Sequence, residues 1–101
     1  MKPQRIQLRR TRGFSLQAVS LALNGLPAVN CARPSRWGNP FPVNKERGAF
    51  QSVREFEAWL QSYDSSISYA EIKRELCGKN LACWCAASPC HCDVLLKIAN
   101  V

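Results

Sequence analysis

Polar and apolar residues alternate in Arg5-Ile6-Gln7-Leu8-Arg9. That pattern suits a half-buried strand with Ile6 and Leu8 facing inward and Arg5, Gln7 and Arg9 facing solvent. Thr11-Arg12-Gly13 then turns the chain. Ser15 stands where it can cap a short helix in which Leu16, Val19 and Leu23 share one face, and Asn24-Gly25 stops that helix. Pro27 to Arg33 reads as extended. From Pro34 to Pro42, three prolines and a glycine exclude regular structure and leave a shaped loop.

The second half carries the stronger helical signals. Ser52-Val53-Arg54-Glu55 has the form of a capping box ahead of apolar Phe56, Trp59 and Leu60, and Ser68-Tyr69-Ala70-Glu71 repeats it. The helix after Ser68 buries Ile72 and Leu76 and ends at Cys77-Gly78. Asn80 to Cys85 reads as a mostly apolar strand, and Cys90 to Ala99 as a closing helix with Val94, Leu95 and Ile98 inward. The expected fold is therefore one small α/β or α+β domain over residues 1–101. It has a short sheet, three or four helices, and first and last strands as possible neighbours.

A chain of 101 residues with 47% hydrophobic positions has the size of one domain with a modest core, to which a metal crosslink would add stability. No apolar stretch approaches the roughly 20 residues a membrane span needs, and the basic first twenty-odd residues are not of signal-peptide type. The expectation is a cytoplasmic protein with no membrane partner. In that setting six cysteines point to metal binding, catalysis or buried thiols rather than to disulfides. Fourteen Lys and Arg against seven Asp and Glu give a net charge of +7. Such a balance attracts nucleic acid, nucleotides or acidic protein surfaces, and also simply favours solubility.

The chemistry concentrates in Cys83-Trp84-Cys85-Ala86-Ala87-Ser88-Pro89-Cys90-His91-Cys92. In an extended strand Cys83 and Cys85 point the same way and Trp84 the other. After a turn through Pro89, Cys90 and His91 open a helix, where the dipole is expected to lower thiol pKa values toward thiolate, the form zinc binds. Cys83, Cys85, Cys90 and His91 make a Cys₃His set, an established tetrahedral zinc combination. The Cys-x-Cys spacing is less usual than a Cys-x₂-Cys knuckle, and Cys92 is an alternative to His91 on the first helical turn. Bare buried thiols, or a cysteine nucleophile with His91 as its base, are the competing readings.

A second motif, Arg36-Trp37-Gly38-Asn39-Pro40-Phe41, puts a cation, two aromatics and an amide between prolines. Arg36 suits phosphate or carboxylate, Trp37 a stacked base, and Asn39 a base edge or the loop's own backbone. The plainer reading makes Trp37 and Phe41 core anchors and Asn39 a turn residue. Together with Arg5 to Arg10, Gly78 to Cys85 and Cys90-His91, this loop resembles a family of small phage and bacterial proteins, the domain of unknown function 4326 family. The resemblance spans nearly the whole chain. It implies that Cys83, Cys85, Cys90, His91 and Asp93 are the family's cluster residues and that Cys31, Cys77 and Cys92 are particular to this chain. It implies a phage or prophage setting and supplies no reaction.

Three functions follow as expectations. The first is a zinc-binding module that presents Arg9, Arg10, Arg36 and Lys79, with Trp37 and Asn39, to nucleic acid or a nucleotide. The second is an enzyme acting on a nucleotide or nucleobase through the Cys/His cluster, for which no catalytic residue is assigned; the His-x-Glu and Pro-Cys-x-x-Cys pattern of zinc deaminases is absent. The third is a phage-encoded inhibitor that binds a host protein.

Overall fold

A computed structural model of the chain describes residues 2–33, 35–41, 43–44, 48–63, 65–84 and 90–100. Its strands are β1 (Arg5–Gln7), β2 (Ala28–Asn30) and β3 (Asn80–Cys83), and its helices are α1 (Leu16–Asn24), α2 (Ala49–Leu60), α3 (Tyr69–Leu76) and α4 (His91–Ala99). These described elements make a small α+β domain with one sheet of order β1-β3-β2. Both pairings are parallel, with Ile6 opposite Ala82 and Val29 opposite Leu81. The first and last strands are neighbours, as the pattern of the chain suggested.

All four residues of β3 are buried, which explains why that stretch of sequence is nearly continuous in small and apolar residues. A central parallel strand is covered on both faces. Leu81 and Cys83 join Phe56, Ile72, Leu76 and Leu95 in the core beneath α2, α3 and α4. Ala82 points the other way and packs with Ile6, Leu8 and Ala28, against which Phe14 and Leu16 close. The chain leaving β1 therefore passes to α1 on one face, and the chain leaving β3 passes to α4 on the other.

Several boundaries agree with the local signals. Ser15 accepts a hydrogen bond from Ala18 N, and Gly25 ends α1 at φ 77°, where only glycine is unstrained. Ser68 accepts from Glu71 N at 3.2 Å, and Gly78 follows α3 at φ 74°. Ile6 and Leu8 are buried, as are Ile72, Leu76, Val94 and Leu95.

The inward face of α1 is different from the one expected. Val19 and Leu23 are 40% and 45% exposed, whereas Ser20 and Asn24 are buried. The cause lies in β3. Asn80 is fully buried and donates through Nδ2 to Ser20 Oγ at 2.7 Å and to Asn24 Oδ1 at 2.8 Å. Its Oδ1 accepts from Asn24 Nδ2 and from Gln4 N, both at 2.8 Å. A buried amide needs partners more than a helix needs an apolar face, so α1 turns its polar stripe inward.

α2 also begins earlier than its capping-box signal. Gly48 is its N-cap, which puts Ser52 inside the first turn, buried, rather than at the cap. There Ser52 Oγ accepts from Asn39 Nδ2 at 2.9 Å and donates to the Phe41 carbonyl. The serine serves the loop before the helix and leaves the helix start uncapped by a side chain. Among the described residues no helix is long and apolar enough to cross a membrane.

Candidate metal centre

The carboxyl end of β3 and the amino end of α4 meet around a group of thiols. Cys83 closes the strand, and Cys90 is the N-cap of the helix, its backbone N–H donating to Asp93 Oδ2 at 3.0 Å. An acidic side chain in the first turn suits the positive end of the helix dipole. The sulfurs of Cys83 and Cys90 lie 2.9 Å apart, close enough to share a hydrogen. Cys92 completes a group whose three sulfurs all lie within 4.8 Å of one another, and each of the three residues is buried. These three cysteines could hold a metal ion.

The described residues thus bring together Cys83 and Cys90, both singled out by the sequence, with Cys92, which the sequence kept as an alternative. Cys85 and the turn through Pro89 lie outside the described residues. Cys31, one residue past β2, is fully buried, and its side chain helps push the Cys92 thiol up. Nothing local in Asn30-Cys31-Ala32 signals a neighbour 61 residues away, so Cys31 is not legible as part of the cluster from sequence.

His91 is buried beside the sulfurs and tied to the same strand end. Its Nε2 lies 2.7 Å from the Cys31 carbonyl. A carbonyl can only accept, so Nε2 carries the hydrogen, and burial pushes the imidazole below its usual range so that the ring is neutral. The unprotonated nitrogen is then Nδ1, 3.8 Å from the Cys90 sulfur. This is the arrangement by which metal-ligating histidines are commonly held, one nitrogen on a backbone carbonyl and the other free to coordinate. The ring edge also packs on Phe56, with centroids 5.4 Å apart.

Without a metal, Cys90 and Cys92 are not activated. A hydrogen bond donated to Cys83, with burial adding to it, pushes the Cys90 thiol well up, against the downward shift expected at a helix start. Hydrogen bonding to Cys31, Cys83 and Cys90, and burial, push Cys92 up as well. A nucleophilic cysteine requires the opposite shift and an open approach. Arg5 is a cation at the cluster. Burial works against its charge, but a hydrogen bond to Cys83 and the proximity of Cys90 and Asp93 outweigh that and hold the guanidinium above its usual range. Its Nε is 3.7 Å from Asp93 Oδ1. Arg5 was expected to face solvent, but it lies on the face of β1 that α4 covers, since Ile6 takes the other.

The Arg36 loop is built into the fold. Arg36 pairs with Glu71 and, at 3.2 Å, with Glu75, both on α3. Its guanidinium carbon also sits 4.8 Å from the centroid of the Trp37 ring. Trp37 is buried in the main core. Asn39 is buried too, accepting from Phe41 N at 2.8 Å and donating to Ser52. Gly38 lies so close to Arg33 that a Cβ there would meet Arg33 Cγ at 2.8 Å. Lys79 Nζ donates to the Glu75 carbonyl at 2.8 Å and so caps α3. Trp37 is thus taken up by the core and Asn39 by its pairing with Ser52.

Arg9 and Arg10 are exposed just beyond β1. The Arg10 guanidinium carbon lies 5.0 Å from the centroid of the Trp84 ring, itself 47% exposed just beyond β3. In sequence Trp84 stands only as the residue between two candidate metal ligands, since a single exposed aromatic carries no local signal.

Comparison with curated proteins gives no match, and comparison with solved structures gives none. The family model described as Domain of unknown function (DUF4326) matches residues 6–101, nearly the whole chain, and the chain belongs to that family.

Proposed function

We propose that this protein is a small zinc-supported module that binds nucleic acid or a nucleotide, with the metal in a structural role. The observation that carries the metal part is the convergence of Cys83, Cys90 and Cys92, all buried, at the joint between β3 and α4. Soft sulfur donors favour zinc over the hard divalent cations, and a dry sulfur-rich site at the crossing of two elements suits crosslinking rather than turnover. Cys83 and Cys90 serve in every version of the ligand set; His91 through Nδ1, Cys92 and Cys85 compete for the remaining positions. The binding part rests on the net charge of +7, which favours polyanions through counterion release.

The test is equilibrium binding of single-stranded and duplex oligonucleotides and of mononucleotides to the zinc-loaded protein at low and at physiological salt. Salt-sensitive binding supports the reading, and failure of every one of these ligands at low salt removes it.

A further inference from the structure

The carboxyl edge of a parallel sheet is where open α/β folds hold ligands, in the crevice between adjacent strands whose following connections leave toward opposite faces. β1 and β3 are such a pair. They are parallel neighbours, with Leu8 N still donating to the Cys83 carbonyl at 2.7 Å where they end. β1 leads to α1 on one face and β3 to α4 on the other. The start of α4 lies at the same edge, because His91 Nε2 reaches the Cys31 carbonyl just past β2.

At that crevice the chain gathers several arginines around one exposed indole. Arg9, Arg10 and Arg12 follow β1, all exposed, and none has a carboxylate partner among the described residues. Elsewhere Arg36, Arg74 and Arg5 face Glu71, Glu75 and Asp93. Trp84 follows β3 with nearly half its surface open, and Arg10 already lies over its ring.

From this juxtaposition we infer that the crevice between the carboxyl ends of β1 and β3 is a nucleotide-unit site. Trp84 is the stacking surface for a base, and Arg9, Arg10 and Arg12 are the phosphate contacts. The inference rests on the nucleic-acid or nucleotide reading above and moves its site from the Arg36 loop to the Trp84 edge. Stacking on an aromatic ring tolerates any base, and unpaired arginines around it track phosphates, so the ligand is an unpaired nucleotide, free or within a single strand.

The experiment is fluorescence anisotropy of a labelled single-stranded oligothymidylate of about fifteen nucleotides, long enough to cover a site of this type, with zinc-loaded protein at low salt. Trp84→Ala should weaken binding by roughly five- to a hundredfold, the range found when a base loses its aromatic partner, and Trp84→Phe should retain most of it. The double variant Arg9→Ala/Arg10→Ala, which lies outside the thiol cluster, should lose about tenfold or more and flatten the salt dependence. The double variant Arg54→Ala/Arg74→Ala removes the same charge from α2 and α3 and should cost about twofold or less. Competition by free thymidine monophosphate distinguishes the sources: displacement at comparable concentration marks a free nucleotide, and none marks a strand.

Binding that ignores both Trp84→Ala and the Arg9/Arg10 variant, or that falls equally in the two arginine doubles, overturns this site and leaves the broader reading standing. Absence of any nucleotide or nucleic-acid binding removes both. Zinc content measured on each variant separates loss of the stacking surface from loss of the metal.

Discussion

The Nε2 atom of His91, at the start of α4, and the backbone carbonyl of Cys31, just past β2, lie 2.7 Å apart. This contact joins the last helix to the far edge of the sheet, across a gap of 60 residues in sequence. It selects the tautomer that leaves Nδ1 beside the Cys90 sulfur. His91→Phe keeps an aromatic ring against Phe56 but removes both nitrogens. Zinc affinity, followed by competition with a chromophoric chelator, should fall by about tenfold or more, as when a ligand or its supporting partner is lost. His91→Asn should fall by less if its amide can still reach the Cys31 carbonyl.

The thiol shifts give the metal-free and zinc-bound proteins opposite pH profiles. With no metal, Cys90 and Cys92 are pushed up in the folded state, whereas in the unfolded chain thiols ionise above about pH 8.5. Their contribution to stability is therefore fully present below that pH and is lost as pH rises beyond it. With zinc bound the folded state holds thiolates, so the unfolded chain binds more protons and stability rises with pH up to about 8.5, by about 1.4 kcal/mol per unit for each thiolate. Urea midpoints between pH 6 and 10, with and without chelator, distinguish the two slopes.

Asn80 is bonded to Ser20, Asn24 and Gln4 at once. Asn80→Leu strips Ser20 and Asn24 of their bonds to β3, leaving them only Leu26 and Lys2 as partners, and leaves the Gln4 amide without its acceptor. It should cost about 3 kcal/mol or more, read from the urea midpoint of the zinc-loaded protein. Ser20→Ala, which removes one member, should cost about 1 kcal/mol.

In the Arg36 loop, the close approach of Gly38 to Arg33 and the exposed pairing of Arg36 with Glu71 and Glu75 predict unequal effects. Gly38→Ala forces Arg33 side chain and backbone to shift and should destabilise by about 1–3 kcal/mol. Arg36→Ala loses a surface ion pair and should change stability by about 1 kcal/mol or less. Neither variant should reduce oligonucleotide affinity by more than about twofold when compared at a temperature where both are folded.

The elements with strong local signals were legible in the sequence. Ile6 and Leu8 alternate as a strand does, Ser68 and Gly78 bracket α3, and both core-facing residues of α3 stand four apart. Features set by distant partners were not. The inward stripe of α1 is dictated by Asn80, some 56 residues beyond Asn24, so Val19 and Leu23 gave a misleading apolar face. Ser52 has the form of a cap, yet Asn39 claims its hydroxyl. Arg5 reads as an outward strand residue until α4 is known to cover that face of β1. In the cluster, the spacing of the Cys83–Cys92 motif pointed to Cys83 and Cys90, whereas the influence of Cys31 on Cys92 depends on how β2 lies against β3.

Metal content bears most directly on the whole account. Protein purified without added metal, and dialysed free of loosely held ions, should carry one zinc per chain by mass spectrometry of the intact native protein. Cys83→Ser and Cys90→Ser should each lower that to a small fraction, and Cys77→Ser, at an exposed thiol, should leave it unchanged. Near-zero zinc in the unaltered protein, or full occupancy in both cluster variants, would contradict a metal centre at the joint of β3 and α4.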